Sequence, residues 1–533
     1  MIALAGALAI VGTAGPGRAD EALFGTGLDG LKSANLQAKS AAIAQIVDSG
    51  VPQGRAALSA LQDGRLYVSR STDTLVIVSD DGAVDARTGA VLGAADTADL
   101  KKIIINNQMR TTLRAAVGRL SLRDPDVAVR LAAVDSLMGS RDDPTVALLR
   151  EALAAEGDAH MQATLQTALA LADLQSPERE RRRAAIDILA GSMHAEAYTR
   201  LVALLASGAD GVPVEPDEEL RQAATDAVEH IEQQRTVYGL IETLFFGLSL
   251  GSVLVLAATG LAITFGVMGV INMAHGELIM LGAYATWVVQ QALPNHLEIS
   301  LLVAVPVAFV VAALAGIAIE RGVVSFLYGR PLETLLATFG VSLILQQAVR
   351  SIFSPLNRAV STPDWMSGQM VINDALSINY NRLYIIVFSL AVFLALVALL
   401  RFTSLGLQVR AVAQNRGMAR AMGVRAGWVD AMTFGLGSGV AGLAGVALSQ
   451  LTNVGPNLGQ SQIVDSFMVV VFGGVGNLWG TLVGGLSLGI ANKFLEPFAG
   501  AVLAKIFVLV FIILFIQRRP RGLFPQRGRA AEA

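Results

Sequence analysis

The sequence predicts an all-α protein in which a soluble, mostly helical domain precedes a polytopic α-helical membrane domain. Three observations lead to this prediction: charge is unevenly distributed, long apolar runs occur in the second part, and short helical repeats occur in the first. Residues 1–235 carry 23 basic and 32 acidic side chains, whereas residues 236–533 carry 17 and 11. A polar, acidic part is therefore joined to an apolar, basic part.

Composition excludes several classes of function. The 533 residues include no Cys and five His. We therefore expect no disulfide framework, iron–sulfur cluster, thiol nucleophile, Cys-ligated zinc or multi-His metal site. The net charge of −3 indicates no nucleic-acid partner. No Gly-Lys-Ser/Thr triplet occurs, so the chain should not itself hydrolyse ATP. We predict neither a metal site nor a bound cofactor.

The first twenty residues, MIALAGALAIVGTAGPGRAD, form an apolar run that closes on small residues. This pattern predicts a signal peptide over residues 1–19, with cleavage near Ala19–Asp20. The basic residues that normally open a signal peptide are missing, so a membrane anchor is the alternative. The run is short and is broken by two glycines and Pro16, which makes it a poor span and favours cleavage. In either case the soluble part would be exported.

Residues 20–235 contain a repeated helical pattern. Paired small residues followed by a larger one recur in Lys39–Ile46, Arg130–Leu137, Arg183–Leu189 and Arg221–Val228. The first three are each followed by a polar turn and a second helix with an apolar stripe. Because such a hairpin buries its stripe only by stacking on its neighbours, we predict a short HEAT-like solenoid.

A small β-rich insert interrupts these repeats. Arg65–Val78 (RLYVSRSTDTLVIV) is rich in β-branched residues and ends at a turn, which predicts a hairpin. The role of the whole domain is left open by the sequence. A solenoid typically recognises another protein. The alternative is that this domain is a folded extension that only packs on the membrane part.

Apolar runs of about 20 residues predict the membrane spans of residues 236–525. They lie near 239–263, 273–293, 299–319, 334–353, 382–400, 428–451 and 501–517. The stretch 462–497 is also apolar but is broken by glycines, so it predicts two short spans or a re-entrant pair. We therefore expect seven to nine spans. The glycines of the span near 428–451 predict close helix packing.

Basic residues predict the orientation of the membrane domain. The loop 401–427 has five Arg and no acid, and the tail after residue 517 has five Arg against one Glu. Arg321 and Arg330 follow the third span. Placing all three segments inside requires an odd number of crossings with the N-terminal domain outside. The predicted signal peptide leads independently to the same orientation, and residues 526–533 become a cytoplasmic tail.

The cytoplasmic loop contains a basic helical segment, Gly406–Val424 (GLQVRAVAQNRGMARAMGV). Its apolar residues are Val409, Val412, Met418, Ala421 and Met422. Such a helix could dock into a groove on a partner or lie on anionic membrane lipid. Charge and periodicity do not distinguish these two interpretations.

Two groups of polar residues are candidates for a translocation path. Asn272, His275 and Glu277 interrupt the apolar segment Thr259–Tyr284, and polar groups at a broken helix often mark a substrate path. The alternative is a cytoplasmic turn in which Asn272 caps the next helix. Asp465 lies in an apolar context and is the second candidate, because ionisable residues at membrane depth are costly. The alternative is that Asp465 caps a segment outside the bilayer.

At these residues the chain resembles the permease subunits of branched-chain amino-acid-type ABC importers. The similar segments are Gly260–Tyr284 with its INMAHGE core, Thr334–Gln347, Gly406–Val424, Val471–Gly485 and Arg519–Phe524. Within that family the chain most resembles the urea-type permease with an exported N-terminal extension. This second resemblance depends on the extension, Asn453–Phe467 and Asn492–Gly500.

The resemblance implies a transporter subunit rather than an enzyme, in a bacterial inner membrane. It implies four kinds of partner: a second related permease, two cytoplasmic ATPase subunits, a periplasmic substrate-binding protein and membrane lipid. It also resolves the interpretation of the loop helix in favour of ATPase docking. The residues expected to couple to the ATPase are Gly406, Arg410, Ala411, Asn415, Arg420 and Gly423.

The leading hypothesis is an importer permease for urea or a short amide, which needs hydrogen-bond partners but no counter-charge. A branched-chain amino-acid permease is the alternative within the same class. A passive urea or solute channel with an exported sensor domain is the alternative from another class. It differs because a channel should conduct without any ATPase.

Overall fold

The computed structural model describes residues 17–524 except 34, 80–81, 94–98, 123, 140–141 and 208–211. The chain forms two compact units, Met1–Gln234 and Arg235–Ala533. The predicted cytoplasmic tail and all but the last three residues of the predicted signal peptide lie outside the described residues. Residues 17–19 belong to the first helix.

The first unit is mostly helical, and side-chain caps explain where many of its helices begin. The helices that precede the unit boundary are α1 Gly17–Leu31, α2 Leu36–Ser49, α3 Pro52–Gln62, α4 Asn107–Ser121, α5 Val127–Leu137, α6 Asp143–Ala155, α7 Ala159–Asp173, α8 Arg179–Ala190 and α9 Ala195–Leu205. Asn35, Asn106, Asp126, Asp142 and Asp158 each accept a hydrogen bond from a backbone N–H of the first turn that follows. These short side chains therefore satisfy donors that a helix start leaves unpaired.

The β-rich insert is larger than the predicted hairpin. Five strands pair antiparallel in the order β4-β3-β2-β1-β5. They are β1 Leu66–Ser69, β2 Leu75–Ser79, β3 Gly82–Asp85, β4 Val91–Gly93 and β5 Leu100–Lys102. The predicted hairpin is β1 and β2, with Leu66 opposite Ile77. The other strands have only three or four residues, too few for a recognisable alternating pattern.

The second unit is a bundle of long helices with one short hairpin. Its elements are α10 Glu218–Met268, which begins in the first unit, α11 His275–Ala292, α12 Leu297–Gly322, α13 Pro331–Phe353, β6 Gln369–Asn373, β7 Leu376–Asn379, α14 Tyr380–Phe402, α15 Ser404–Gln414, α16 Arg416–Ala421, α17 Ala426–Ser449, α18 Leu458–Gly473 and α19 Leu478–Arg518. Each of the seven predicted spans coincides with one of these helices.

Within the described residues, six helices are long and apolar enough to cross a membrane: α10, α12, α13, α14, α17 and α19. This is fewer than the seven to nine spans predicted. The predicted span near 273–293 corresponds to α11, which carries polar residues at both ends. The stretch 462–497 is shared between α18, which has 16 residues, and the first part of α19. α19 itself joins two helical segments at Gly500, where φ is 76°.

Helix α17 lies at the centre of the second unit. Every residue from Ala441 to Gln450 is buried. The helix packs closely on α12, because a Cβ placed on Gly442 would lie 2.6 Å from the carbonyl oxygen of Ala308. On another side a Cβ at Gly445 would meet the backbone of α11 at Ile279. The glycines of this span thus permit the close helix contacts that the sequence predicts.

Candidate functional site

The break between α10 and α11 positions the first candidate residues. Gly269 follows α10 with a φ of 69°, a left-handed conformation that favours glycine. Asn272 is fully buried, and its Oδ1 accepts a hydrogen bond from the Ala274 backbone N–H at 3.0 Å. Asn272 therefore stabilises the turn before α11, two residues earlier than the helix N-cap, Ala274. Its Nδ2 has no hydrogen-bond partner among the described residues.

His275 joins the start of α11 to α10. The side chain is fully buried, and its Nε2 lies 2.8 Å from the carbonyl oxygen of Ala257. Since a carbonyl only accepts, Nε2 must donate this hydrogen bond. We infer that His275 holds two helices together, a structural contribution beside any role in a path.

Glu277 presents a carboxylate in the first turn of α11 with 1% of its surface exposed. Its Oε1 accepts a hydrogen bond from Ser342 Oγ of α13 at 3.0 Å. Its Oε2 has no hydrogen-bond partner among the residues that the structure describes. A buried carboxylate oxygen without a donor is costly, so Glu277 is a stronger functional candidate in the structure than in the sequence.

Helix α13 carries a row of polar residues that we call the α13 polar stripe: Thr334, Thr338, Ser342, Gln346 and Arg350. Residues four apart lie on one face of a helix. The stripe was missed in the sequence, although its i, i+4 spacing was a usable signal.

Each of four stripe residues contacts the break or a neighbouring helix. Thr338 Oγ1 accepts from the Met273 N–H at 3.1 Å, and Ser342 donates to Glu277. Gln346 Nε2 lies 3.5 Å from Gln460 Oε1 of α18. Arg350 Nη2 donates to Asn457 Oδ1 at 2.8 Å. The stripe therefore contacts the α10–α11 break, Glu277 and the start of α18.

Asp465 is separate from this group in its polar contacts. It lies in the middle of α18, with 10% of its side chain exposed, and its Oδ2 is 2.8 Å from Lys505 Nζ of α19. Its mid-helix position does not fit the alternative in which it caps a segment. Lys505 lies 40 positions away in the chain, so the sequence could not identify it as the partner.

The segment expected to couple to an ATPase is two helices rather than one. α15 ends at Gln414, and Asn415 caps α16 by accepting a hydrogen bond from the Met418 N–H at 2.9 Å. Asparagine at a helix start is favoured for this reason. Gly423 has a φ of 85° and turns the chain into α17.

The apolar residues of this segment do not share one face. Val409 and Val412 are buried in a cluster with Ala419, whereas Met418 and Met422 are 62% and 77% exposed. The helix break at Asn415 separates the two sets.

Some of the other coupling candidates are buried or half-buried, and one is exposed. Gly406 is buried against the Leu400 backbone, Arg410 donates to the Leu400 carbonyl oxygen, and Ala411 is half-buried. Arg420 is exposed. We call the exposed side chains of Met418, Arg420 and Met422 the α16 surface.

No group of three or more His, Asp or Glu residues that could hold a metal ion occurs in the part of the chain that the structure describes.

Comparisons with known proteins show what the second unit is similar to. A family described as the permease component of branched-chain amino acid transport systems matches residues 243–516. The high-affinity branched-chain amino acid transport system permease protein BraD of Pseudomonas aeruginosa is 29% identical over 297 residues, covering 54% of this chain and 96% of that protein.

Two further relatives come from Escherichia coli K12. The high-affinity branched-chain amino acid transport system permease protein LivH is 31% identical over 299 residues, covering 53% of this chain and 94% of that protein. The ribose import permease protein RbsC is 27% identical over 289 residues, covering 51% and 84%. No solved structure matches.

Proposed function

Because the chain belongs to the family of permease components of branched-chain amino acid transport systems, we propose that it is the membrane permease subunit of an ATP-binding cassette importer. The family match covers most of the second unit, and the chain is accordingly a multi-pass inner-membrane transporter component rather than an enzyme. The observation that carries the proposal furthest is the α13 polar stripe, which faces a buried carboxylate within this unit.

The substrate is proposed to pass along the α13 polar stripe. Polar and ionisable groups inside a membrane unit are costly unless they face protein or water. The stripe gives a passing solute a series of side chains that can exchange hydrogen bonds with it, from Thr334 to Arg350. Glu277 lies beside the middle of this series, which supports its role as a path residue. Asn272 and His275 support the break that positions it, and Asp465 is the more distant candidate.

The comparisons favour a branched-chain amino acid over urea as the substrate. The relatives named above are branched-chain amino acid and ribose permeases, and they lend no support to urea. The path offers both a carboxylate, Glu277, and a guanidinium, Arg350, which suits a zwitterion. Ser342, the partner of Glu277, and Arg350 are eight positions apart, about 12 Å along a helix. A zwitterion's own charges are closer together, so it would meet the two groups in succession.

Urea is retained as the second candidate, on one observation. The amide side chains of Gln346 and Gln460 lie 3.5 Å apart where α13 meets α18. Paired amides can hydrogen-bond a small neutral amide without any counter-charge.

The partners are proposed to be a second related permease, two ATPases and an external substrate-binding protein. The α16 surface, with two exposed methionines beside Arg420, suits docking on an ATPase, because interfaces commonly combine an apolar centre with Met and Arg. The distribution of basic residues supports an orientation with α15 and α16 inside and the first unit outside. This orientation requires α11 to cross the membrane as well, because α10, α12, α13 and α14 alone make an even number of crossings.

The first unit is proposed to be a HEAT-like repeat domain. Arg130, Arg182 and Arg221 repeat one arrangement: each guanidinium donates to the carbonyl oxygens of the residues six and five positions earlier, the second of which is a proline. Recurrence of one side-chain arrangement supports a structural repeat. The family match begins at residue 243, so the function of this unit is additional to the shared permease function.

Reconstitution tests the proposal. The purified complex in proteoliposomes should take up radiolabelled leucine with ATP and the binding protein, and an excess of unlabelled urea should not reduce this uptake. Uptake of radiolabelled urea that unlabelled leucine does not reduce would make urea the leading substrate instead. Uptake by the permease alone, without ATPases, would contradict the importer and favour the channel.

A further inference from the structure

A partly buried ion pair joins α16 to α17. Arg416, the first residue of α16, donates from Nη1 to Asp430 Oδ1 of α17 at 3.2 Å and from Nη2 to Asp430 Oδ2. The side chain of Asp430 is 2% exposed and that of Arg416 is 24% exposed. Two parallel hydrogen bonds fix the orientation of a guanidinium relative to a carboxylate, which a single contact does not.

The same guanidinium also reaches the chain between α12 and α13. Its central carbon lies 3.8 Å from the ring centroid of Tyr328, which follows a short 3-10 turn at Val324–Leu327. A guanidinium stacked on an aromatic face at this distance is a favourable cation–π contact. Arg416 therefore joins α16, α17 and the α12–α13 connection.

A second buried carboxylate lies near this pair. Glu320 of α12 is 2% exposed and interacts electrostatically with both Asp430 and Arg416. Its Oε2 has no hydrogen-bond partner among the described residues, and it lies 3.6 Å from Arg321 Nε. A positive charge at position 416 thus offsets repulsion between two buried carboxylates, in addition to orienting one of them.

Stability alone is a poor explanation for such a pair. Desolvation of buried charges commonly cancels their attraction, so apolar residues of similar volume would hold the helices together equally well. Apolar contacts allow two helices to slide past each other, whereas paired hydrogen bonds fix one side chain relative to the other. A displacement of one helix would therefore move the other. α17 is also the helix that packs on α12 and on α11, which carries Glu277.

We propose that the Arg416–Asp430 pair, seated under Tyr328, is the positioning link that carries movement of the α16 surface to α17 and so to the path. Arg416 acts through other residues and does not contact the substrate. This inference rests on the proposed importer function. It assigns transmission to a buried pair and leaves docking to the exposed residues of α16.

The test compares uptake with ATP hydrolysis in the reconstituted complex. Arg416→Lys keeps the charge but loses the paired hydrogen bonds and most of the stacking, and Asp430→Asn keeps the volume but loses the charge. Arg425→Lys is the matched control, because Arg425 is an exposed arginine of the same segment. We expect both link variants to retain the ATPase subunits and at least half of the hydrolysis rate. Solute transported per ATP should fall at least about tenfold, and the control should change less than twofold.

Two outcomes would overturn the proposal, and a third would contradict the proposed function. Transport per ATP within twofold of wild type in both link variants would overturn the proposal. Loss of ATPase subunits from both variants during purification would also overturn it, because the pair would then only fold the docking surface. A wild-type complex without ATP-driven uptake would contradict the proposed function itself, and it is recognised before any variant is compared.

Discussion

Replacing Arg182 by alanine should destabilise the first unit far more than the same change at the next residue. Arg182 donates to the two carboxylate oxygens of Glu215 at 2.9 and 3.2 Å. It also donates to the carbonyl oxygens of Ser176 and Pro177 at 3.0 and 3.2 Å. The side chain of Glu215 is 3% exposed. Arg182→Ala therefore leaves a buried carboxylate without its cation.

The magnitude follows from burial. Removing one partner of a buried ion pair costs about 3–5 kcal/mol. The side chain of Arg182 is 17% exposed, and water would enter the space it leaves, so we expect about 2–3 kcal/mol. The neighbouring pair of Arg183 and Asp187 is 47% and 61% exposed. An exposed pair four residues apart on a helix contributes about 0.3–0.5 kcal/mol, so Arg183→Ala is the matched control.

Hydrogen–deuterium exchange of the full-length protein in detergent measures this difference locally, because exchange from a helix reports the free energy of its opening. Each 1.4 kcal/mol corresponds to a factor of ten, so amides of α8 should exchange about 30- to 140-fold faster in Arg182→Ala. Arg183→Ala should change the same amides about twofold. Exchange rates in the two variants within about threefold of each other would refute the argument from burial.

Three further predictions concern transport. Asn415→Asp keeps the α16 cap but adds negative charge, and Arg420→Glu reverses an exposed charge; both should lower ATP-driven uptake about tenfold or more, and unchanged uptake would misplace the docking contact. Glu277→Ala should lower uptake at least fivefold while the complex still purifies intact, and normal uptake would show that Glu277 is not a path residue. Asp465→Ala leaves Lys505 without its partner but half-exposed at the surface of the unit, so assembly should persist while uptake falls; loss of assembly would show that the pair is only structural.

The helices of the second unit were predictable because their apolar runs are long. All seven predicted segments lie on helices, since about 20 apolar residues have few other stable arrangements in a membrane. The number of membrane spans was harder to predict from the sequence. α11 is polar at both ends, and Gly500 divides α19 by its left-handed backbone, a conformation that the sequence permits but does not require.

The polar contacts were the least predictable part of the site. The α13 polar stripe can be recognised by its spacing, but its partners on α11 and α18 depend on how three helices pack. Ser342 and Glu277 are 65 positions apart, and Arg350 and Asn457 are 107 positions apart. A sequence identifies a polar residue in an apolar segment, whereas only the packing shows whether another side chain satisfies it.

Arg416 shows how a charge count can mislead about a surface. The loop 401–427 contains five arginines and no acid, which describes it as uniformly basic. Arg416 is nevertheless paired with Asp430, an acid just beyond the counted range. The five arginines still support the proposed cytoplasmic placement of the loop, because topology depends on the basic residues near the span ends. The proposed docking depends on which side chains are exposed, and in α16 these include Arg420 and the two methionines. All five arginines therefore support the proposed orientation, whereas only the exposed ones can contribute to the proposed docking.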